Sequence, residues 1–361
     1  MASAFDLSRK DLGLLLAGQP AYRAEQVWRA LWGRGQWPDE MSELPKALRQ
    51  DLAGSLQPAL QEVKRSGSAD GQTTKWLWSL PDLSRVETVL MLYAKRATVC
   101  VSSQAGCAMG CSFCATGQGG FRRHLSSGEI VEQVVAARRA ALPRRLGNIV
   151  FMGMGEPLAN YERTWGAVER IHAHLGVSAR HITVSTVGVA PGIRRIAGEA
   201  LPVNLAVSLH AARDELRDRL VPLNRRYPLG AVMDACSSYV SAKGRRLSFE
   251  WALIEGVNDT ERDADELAAL ALRLPLAAHV NLIPLNPTPG YPEMGTSPRG
   301  VAEFQARLVA KGVNATVRDN RGTDINAACG QLAGASRQQD ARAAIWRATP
   351  DNAPGPASAK L

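Results

Sequence analysis

No stretch of this 361-residue sequence approaches the roughly 18 consecutive apolar residues that a membrane helix needs. The most apolar segments, residues 89–94 and 148–154, have only the length of strands. At the N-terminus, Asp6 and Lys10 interrupt any apolar core that a secretory signal would require. No internal repeat at the 20–50-residue periods of solenoids is visible. Lysine is scarce, with 8 against 35 arginines. Together these absences predict a cytoplasmic protein that makes no membrane contact. Hydrophobic residues at 45% and charged residues at 21% exclude a disordered chain.

Cysteine is also sparse, and its placement is uneven. Four of the six cysteines (Cys100, Cys107, Cys111 and Cys114) fall within fifteen residues; Cys236 and Cys329 stand apart. A disulfide framework is not expected in a chain of this length without an export signal. Metal binding or thiol chemistry is. The net charge is +9, and arginine pairs recur all along the chain without forming one stripe. Codon usage explains such an excess, and so does a polyanionic partner, because arginine binds phosphate bidentately.

Residues 1–60 carry apolar positions at helical spacing in three segments. Leu12, Leu15 and Leu16 lie in the first, 20–35 is the second, and 41–56 is the third, with Ser42 as its N-cap. Residues 61–96 change to period two, with antiparallel strands over 74–80 and 86–93. From residue 97 to 335 strands and helices alternate. Strands are expected at 97–103, 148–152, 181–186, 203–209, 247–254, 280–285 and 315–318. Helices are expected at 127–141, 161–175, 229–242, 260–272 and 298–310, the first with a capping box from Ser126 to Glu129. Such alternation predicts a parallel sheet or barrel. The tail, 336–361, reads as disordered.

Three thiols in Cys107-Ala-Met-Gly-Cys111-Ser-Phe-Cys114 follow the first strand of the alternating region. A closed zinc site needs a fourth ligand, and His124 is a candidate. A four-iron cluster held by three cysteines instead leaves one iron open to a small ligand. The end of the next strand carries Gly153-Met-Gly-Glu-Pro157, where glycine permits close backbone approach and Glu156 offers a carboxylate. Ser185, Ser208-Leu209-His210 and Asn286 stand at later strand ends, where the active sites of barrels are built. Cys329 lies in a glycine-flanked loop after the last strand. Cys236, inside a helix, reads as core.

The CxxxCxxC spacing after a first barrel strand resembles the radical SAM superfamily. VETV at 86–89, CVSSQ at 100–104, FCATG, GMGEP, SLH, VPLN at 221–224 and ACGQLAG are further similar to the RlmN/Cfr family of radical SAM RNA methyltransferases, from the N-terminal helices to about Gly334. The resemblance implies an α/β fold: a partial (β/α) barrel with an N-terminal helical accessory domain and a short antiparallel β extension. It implies a [4Fe-4S] cluster on Cys107, Cys111 and Cys114, and S-adenosylmethionine held by Gly155 and Glu156 together with Ser185, Ser208, Leu209, His210 and Asn286. Cys329 would be methylated and would carry the methyl group to an adenine. Cys100 would act as base and form a transient disulfide with Cys329. Glu87 matches a proton acceptor of the family, or else is an exposed strand carboxylate. The implied partners are 23S rRNA, tRNA and an electron-donating reductase such as flavodoxin. GEPLAN and the helical module point to the branch acting at carbon 2 of adenine. Carbon 8, or a zinc-stabilised RNA-binding protein without catalysis, are the alternatives.

Overall fold

The computed structural model describes residues 3–288, 290–319 and 321–333. Ten strands join one sheet. They are β1 (Gln61–Gly67), β2 (Thr73–Ser79), β3 (Arg85–Leu92), β4 (Ala97–Cys100), β7 (Leu146–Phe151), β8 (Ile182–Thr186), β9 (Asn204–Ser208), β10 (Ser248–Leu253), β11 (His279–Pro284) and β12 (Ala315–Val317), in that spatial order. β5 (Gln104–Gly106) and β6 (Phe121–His124) form a separate hairpin around the cysteine loop. β1 to β4 pair antiparallel, and β4 onward pair parallel. Both edges of β4 are occupied, by β3 and β7, so no ladder remains there to receive β12. The barrel is therefore partial, and the antiparallel strands continue its sheet.

The parallel strands are buried from both sides, as an α/β arrangement requires. Ile182, Val184, Val207, Phe249, Trp251 and Leu253 are all fully enclosed. Outer helices cover the sheet, among them Ser127–Ala141, Tyr161–Leu175, Leu229–Lys243, Glu261–Leu272 and Pro298–Ala310. The capping box at Ser126 is present: its hydroxyl accepts from Glu129 N while its own N donates to the Glu129 carboxylate at 2.8 Å. Because the strands run parallel, their carboxyl ends share one face. The loops leaving that face carry the cysteine triplet, Gly153–Glu156, His210, Asn286 and Cys329.

The N-terminal module holds helices Arg9–Leu15, Tyr22–Trp28 and Lys46–Ser55, the second continued by a wider π turn over Arg29–Arg34. Trp28 stacks on Trp32 at 5.3 Å, and Phe5 meets Trp32 edge-on. Three expectations are corrected here. The third helix starts at Lys46, not residue 41, because Pro45 sets its entry and Ser42 does not cap it. Leu12 and Leu16 are buried, but Leu15 faces solvent. β1 went unread because almost its whole length is exposed, so it has no alternating burial to detect. The expected disordered tail, 336–361, lies outside the described residues.

Candidate active site

The strand ends enclose a cavity of about 990 Å³. Cys107, Cys111 and Cys114 line it, with Gly155, Glu156, Ser185, Ser208, His210, Asn286 and Cys329. Of the residues singled out from the sequence as ligand contacts, Leu209 alone is not on this lining. Its side chain is fully buried in the core, and its carbonyl accepts from Arg217 Nε at 3.0 Å.

Local geometry explains the glycine-rich turn after β7. Gly155 has φ +100°, and a Cβ there would lie 2.5 Å from the Gln104 side chain. Any larger residue would displace the turn from the cysteine hairpin. Glu156 follows at 2% exposure. Its carboxylate accepts from Leu158 N at 2.9 Å and Val187 N at 2.8 Å, bridging the ends of β7 and β8. Burial pushes its carboxyl up to about 7, against those backbone donors. A cationic ligand would restore its charge. His210 is pushed down to about 3 by burial and is neutral. Its Nδ1 accepts from Ala252 N at 2.9 Å, and its ring meets Phe113 edge-on at 4.7 Å.

These residues fit a cluster and S-adenosylmethionine. Among the described residues, no three His, Cys, Asp or Glu side chains are placed to hold one metal ion. The three thiols line one cavity, and three cysteines are the donor set of a multi-iron cluster with one open iron. Burial drives Cys107 up to about 12 and Cys111 well above its usual value, with the neighbouring thiols adding to both shifts. A cationic centre removes that penalty. On the ligand side, Asn286 Oδ1 is buried without a partner, an acceptor waiting for a donor. His124 does not complete a zinc site. It sits on β6 outside the cavity, with Nδ1 3.0 Å from Gln104 Nε2.

A second cavity of about 910 Å³ adjoins the first. Cys100 lines it with Val89, Tyr93, Leu332 and Arg321, and four residues, Met152, Ile283, Arg318 and Cys329, line both cavities. Cys100 is buried and its thiol is pushed up to about 12, chiefly by desolvation. Cys329 is exposed and lines both cavities. Desolvation raises its thiol too, Arg318 opposes the rise, and Glu250 adds to it. All six cysteines are free, so the structure holds no standing disulfide; the one implied between Cys100 and Cys329 is transient. Cys236 is wholly buried in its helix, as expected.

Glu87 is not an exposed strand carboxylate. It is buried, lines neither cavity, accepts from Ala333 N at 3.0 Å and pairs with Lys75 at 3.1 Å. Arg318 and Glu250, paired at 3.3 Å, were not anticipated. The only available signal was that Arg318 closes an expected strand.

Comparison with known proteins bears on this geometry. Residues 101–268 match the family model of the Radical SAM superfamily. A probable dual-specificity RNA methyltransferase RlmN of Parafrankia sp. (strain EAN1pec) is 52% identical over 91% of this chain and 90% of its own length. One of the same name from Salinispora tropica is 51% identical over 92% of each chain. The crystal structure of a radical SAM methyltransferase from Sphaerobacter thermophilus superposes with a TM-score of 0.89 at 50% identity, covering 93% of this chain and all of that one.

Proposed function

This chain belongs to the RlmN group of radical SAM RNA methyltransferases, and on that premise we propose that it methylates carbon 2 of adenine, in 23S rRNA and at the adenine 3′ of the anticodon in tRNAs. Adenine carbon 2 is an electron-poor amidine carbon and does not attack a methyl sulfonium, so polar transfer fails there. A cluster on Cys107, Cys111 and Cys114 with bound S-adenosylmethionine supplies the methyl donor and, given an electron from a reductase such as flavodoxin, a hydrogen-abstracting radical.

The chain's own residues then divide the work. Glu156 takes the ligand's ammonium, with Gly155 allowing the close approach, and Ser185, Ser208 and His210 line the remainder. Asn286 holds the Cys329 carbonyl through Nδ2 at 3.1 Å and keeps Oδ1 for the ligand. Cys329, as thiolate, accepts the methyl group and carries it as S-methylcysteine. Cys100 takes the proton that leaves carbon 2. Glu87 acts through position: its carboxylate is committed to Lys75 and to the backbone just beyond Cys329.

The observation that carries this reading is the shared wall. Cys329 belongs to the cavity of the cysteine triplet and to the cavity of Cys100. A methyl carrier between two substrates needs that position, and a zinc-stabilised binding protein has no use for it. The test is to incubate reconstituted protein with an rRNA fragment and tRNA, then digest both to nucleosides for mass spectrometry. 2-Methyladenosine from both is expected. 8-Methyladenosine, or no methylated adenosine, overturns the assignment.

A further inference from the structure

Tyr93 stands on the lining of the Cys100 cavity, in the turn joining β3 to β4, where its N donates to Arg96 O at 2.8 Å. Two guanidinium groups pack against its one ring. Arg321 lies 4.4 Å from the ring centroid and Arg96 lies 5.0 Å from it. Arg321 comes from the segment after β12 and also donates to Leu92 O at 3.3 Å. Two cations on one ring repel each other. Elsewhere such charges are compensated, as at Arg123, Arg213 and Arg307, which each reach two carboxylates. Among the described residues neither Arg96 nor Arg321 has an ion pair. Arg96 Nη1 reaches only the neutral Asn148 amide, at 2.8 Å once that amide is turned.

The positive charge extends beyond Tyr93. Lys95, Arg96 and Arg145 line a neighbouring hollow of about 550 Å³, with Asn148, Ser178 and His181, and no carboxylate is on its lining. Among the acidic groups near Arg321, Asp319 is exposed on the Cys100 cavity, and Asp70, held low chiefly by bonds from Ser68 and Gln72 N, also feels the Arg321 charge without an ion-pair contact. The basic hollow and the Cys100 cavity thus meet at Arg96 and Tyr93. The Cys100 cavity reaches Cys329, and the hollow carries three cationic side chains.

We propose that Arg96 and Arg321, at the Tyr93 end of the Cys100 cavity, bind phosphates of the RNA strand whose target base occupies that cavity. The inference rests on the RNA-methyltransferase reading above and deepens it by naming the backbone contacts. Turning a base out of its stack costs a few kcal/mol. Phosphate contacts at the cavity rim offset that cost where it is incurred. Arginine suits the task, since its planar fork meets two phosphate oxygens and its face still rests on tyrosine.

The test uses reconstituted holoenzyme and a substrate tRNA. RNA affinity is measured as a function of salt for wild type, Arg96→Gln/Arg321→Gln, Arg96→Lys/Arg321→Lys and Arg299→Gln. Arg299 is 89% exposed on an outer helix and paired with Glu303, so this control also removes one positive charge. Each lost phosphate contact should reduce the slope of log K against log salt by about 0.7 for a single strand, hence roughly 1.4 for the Gln pair. KM for RNA should rise roughly tenfold or more, with a smaller change in kcat, at wild-type iron content. The Lys pair should keep the slope, and Arg299→Gln should match wild type. A Gln pair with wild-type slope and KM overturns the contact while the methyltransferase reading stands. A wild type that binds RNA through these arginines yet never methylates it overturns the reading and leaves the contact.

Discussion

Lys75 and Glu87 form an enclosed ion pair, Nζ to Oε1 at 3.1 Å, that grips the Cys329 segment at both ends. Lys75 Nζ also donates to Asn326 O at 2.9 Å, and Glu87 Oε2 accepts from Ala333 N at 3.0 Å. The two side chains face each other across β2 and β3, and Cys329 lies midway between the two anchored residues. Between the anchors, Gly330 O accepts from Ala115 N and Leu332 O from Thr116 Oγ1, which fastens the same segment to the helix after Cys114. The loop that bears Cys329 is therefore held to both the sheet and the cysteine loop.

Lys75→Met leaves Glu87 enclosed without its cation, which in comparable sites costs about 3–5 kcal/mol. We expect a lower melting temperature and a tenfold or greater fall in methyl groups delivered per S-adenosylmethionine cleaved. Lys75→Arg should recover much of that coupling. If Lys75→Met cleaves and transfers in the wild-type ratio, the clamp does not position Cys329.

The cysteine triplet makes a separate forecast. Replacing any one of Cys107, Cys111 or Cys114 by Ala should abolish iron retention after anaerobic reconstitution, together with all activity. His124→Ala should keep its iron, because its ring nitrogen is engaged with Gln104 outside the cavity. Iron and sulfide analysis decides the matter. Loss of metal from His124→Ala would return the zinc arrangement to consideration.

Glu156→Ala should weaken S-adenosylmethionine binding by roughly two decades, since a charge-assisted contact of this kind contributes about 1.5–3 kcal/mol. Glu156→Gln retains the shape and one acceptor oxygen but not the charge, so it should lose nearly as much. Calorimetry on protein of normal iron content measures both. Wild-type affinity in either variant moves the ammonium contact elsewhere.

Much of this site could be read from the chain because its parts are local. The cysteine triplet spans eight residues, and GMGEP places a glycine that must be glycine beside the carboxylate it presents. The barrel helices announced themselves through caps and apolar spacing; Ser127–Ala141 and Tyr161–Leu175 have the expected bounds. What stayed hidden depends on partners remote in sequence. Glu87 looks like any strand carboxylate until Lys75 and Ala333 are placed on it. The basic rim joins a hairpin at Arg96 to a loop at Arg321, and nothing in either segment points to the other. Leu209 was grouped with its polar neighbours, although the strand end turns its side chain into the core.

Cys100 and Cys329 should fail at different stages when removed. Both line the second cavity, and Arg318 acts on both thiols, which places them where one bound nucleotide could meet both. With Cys329 as the proposed carrier of the carbon, Cys329→Ala should stop the reaction before any bond to RNA forms. Cys100 acts afterwards, so Cys100→Ala should trap RNA attached through the Cys329 methylene bridge. That protein should migrate as a ribonuclease-sensitive adduct on a denaturing gel, while Cys329→Ala and the double variant should not. Without Cys100 the adduct has no base to take the carbon-2 proton and no second thiol to bond the Cys329 sulfur as the sulfur–methylene bond breaks, so on the proposed route it cannot release its product. Cys100→Ala that is free of RNA, yet holds its iron and cleaves S-adenosylmethionine, would mean that another group takes the proton and that the division of labour between the two thiols is wrong.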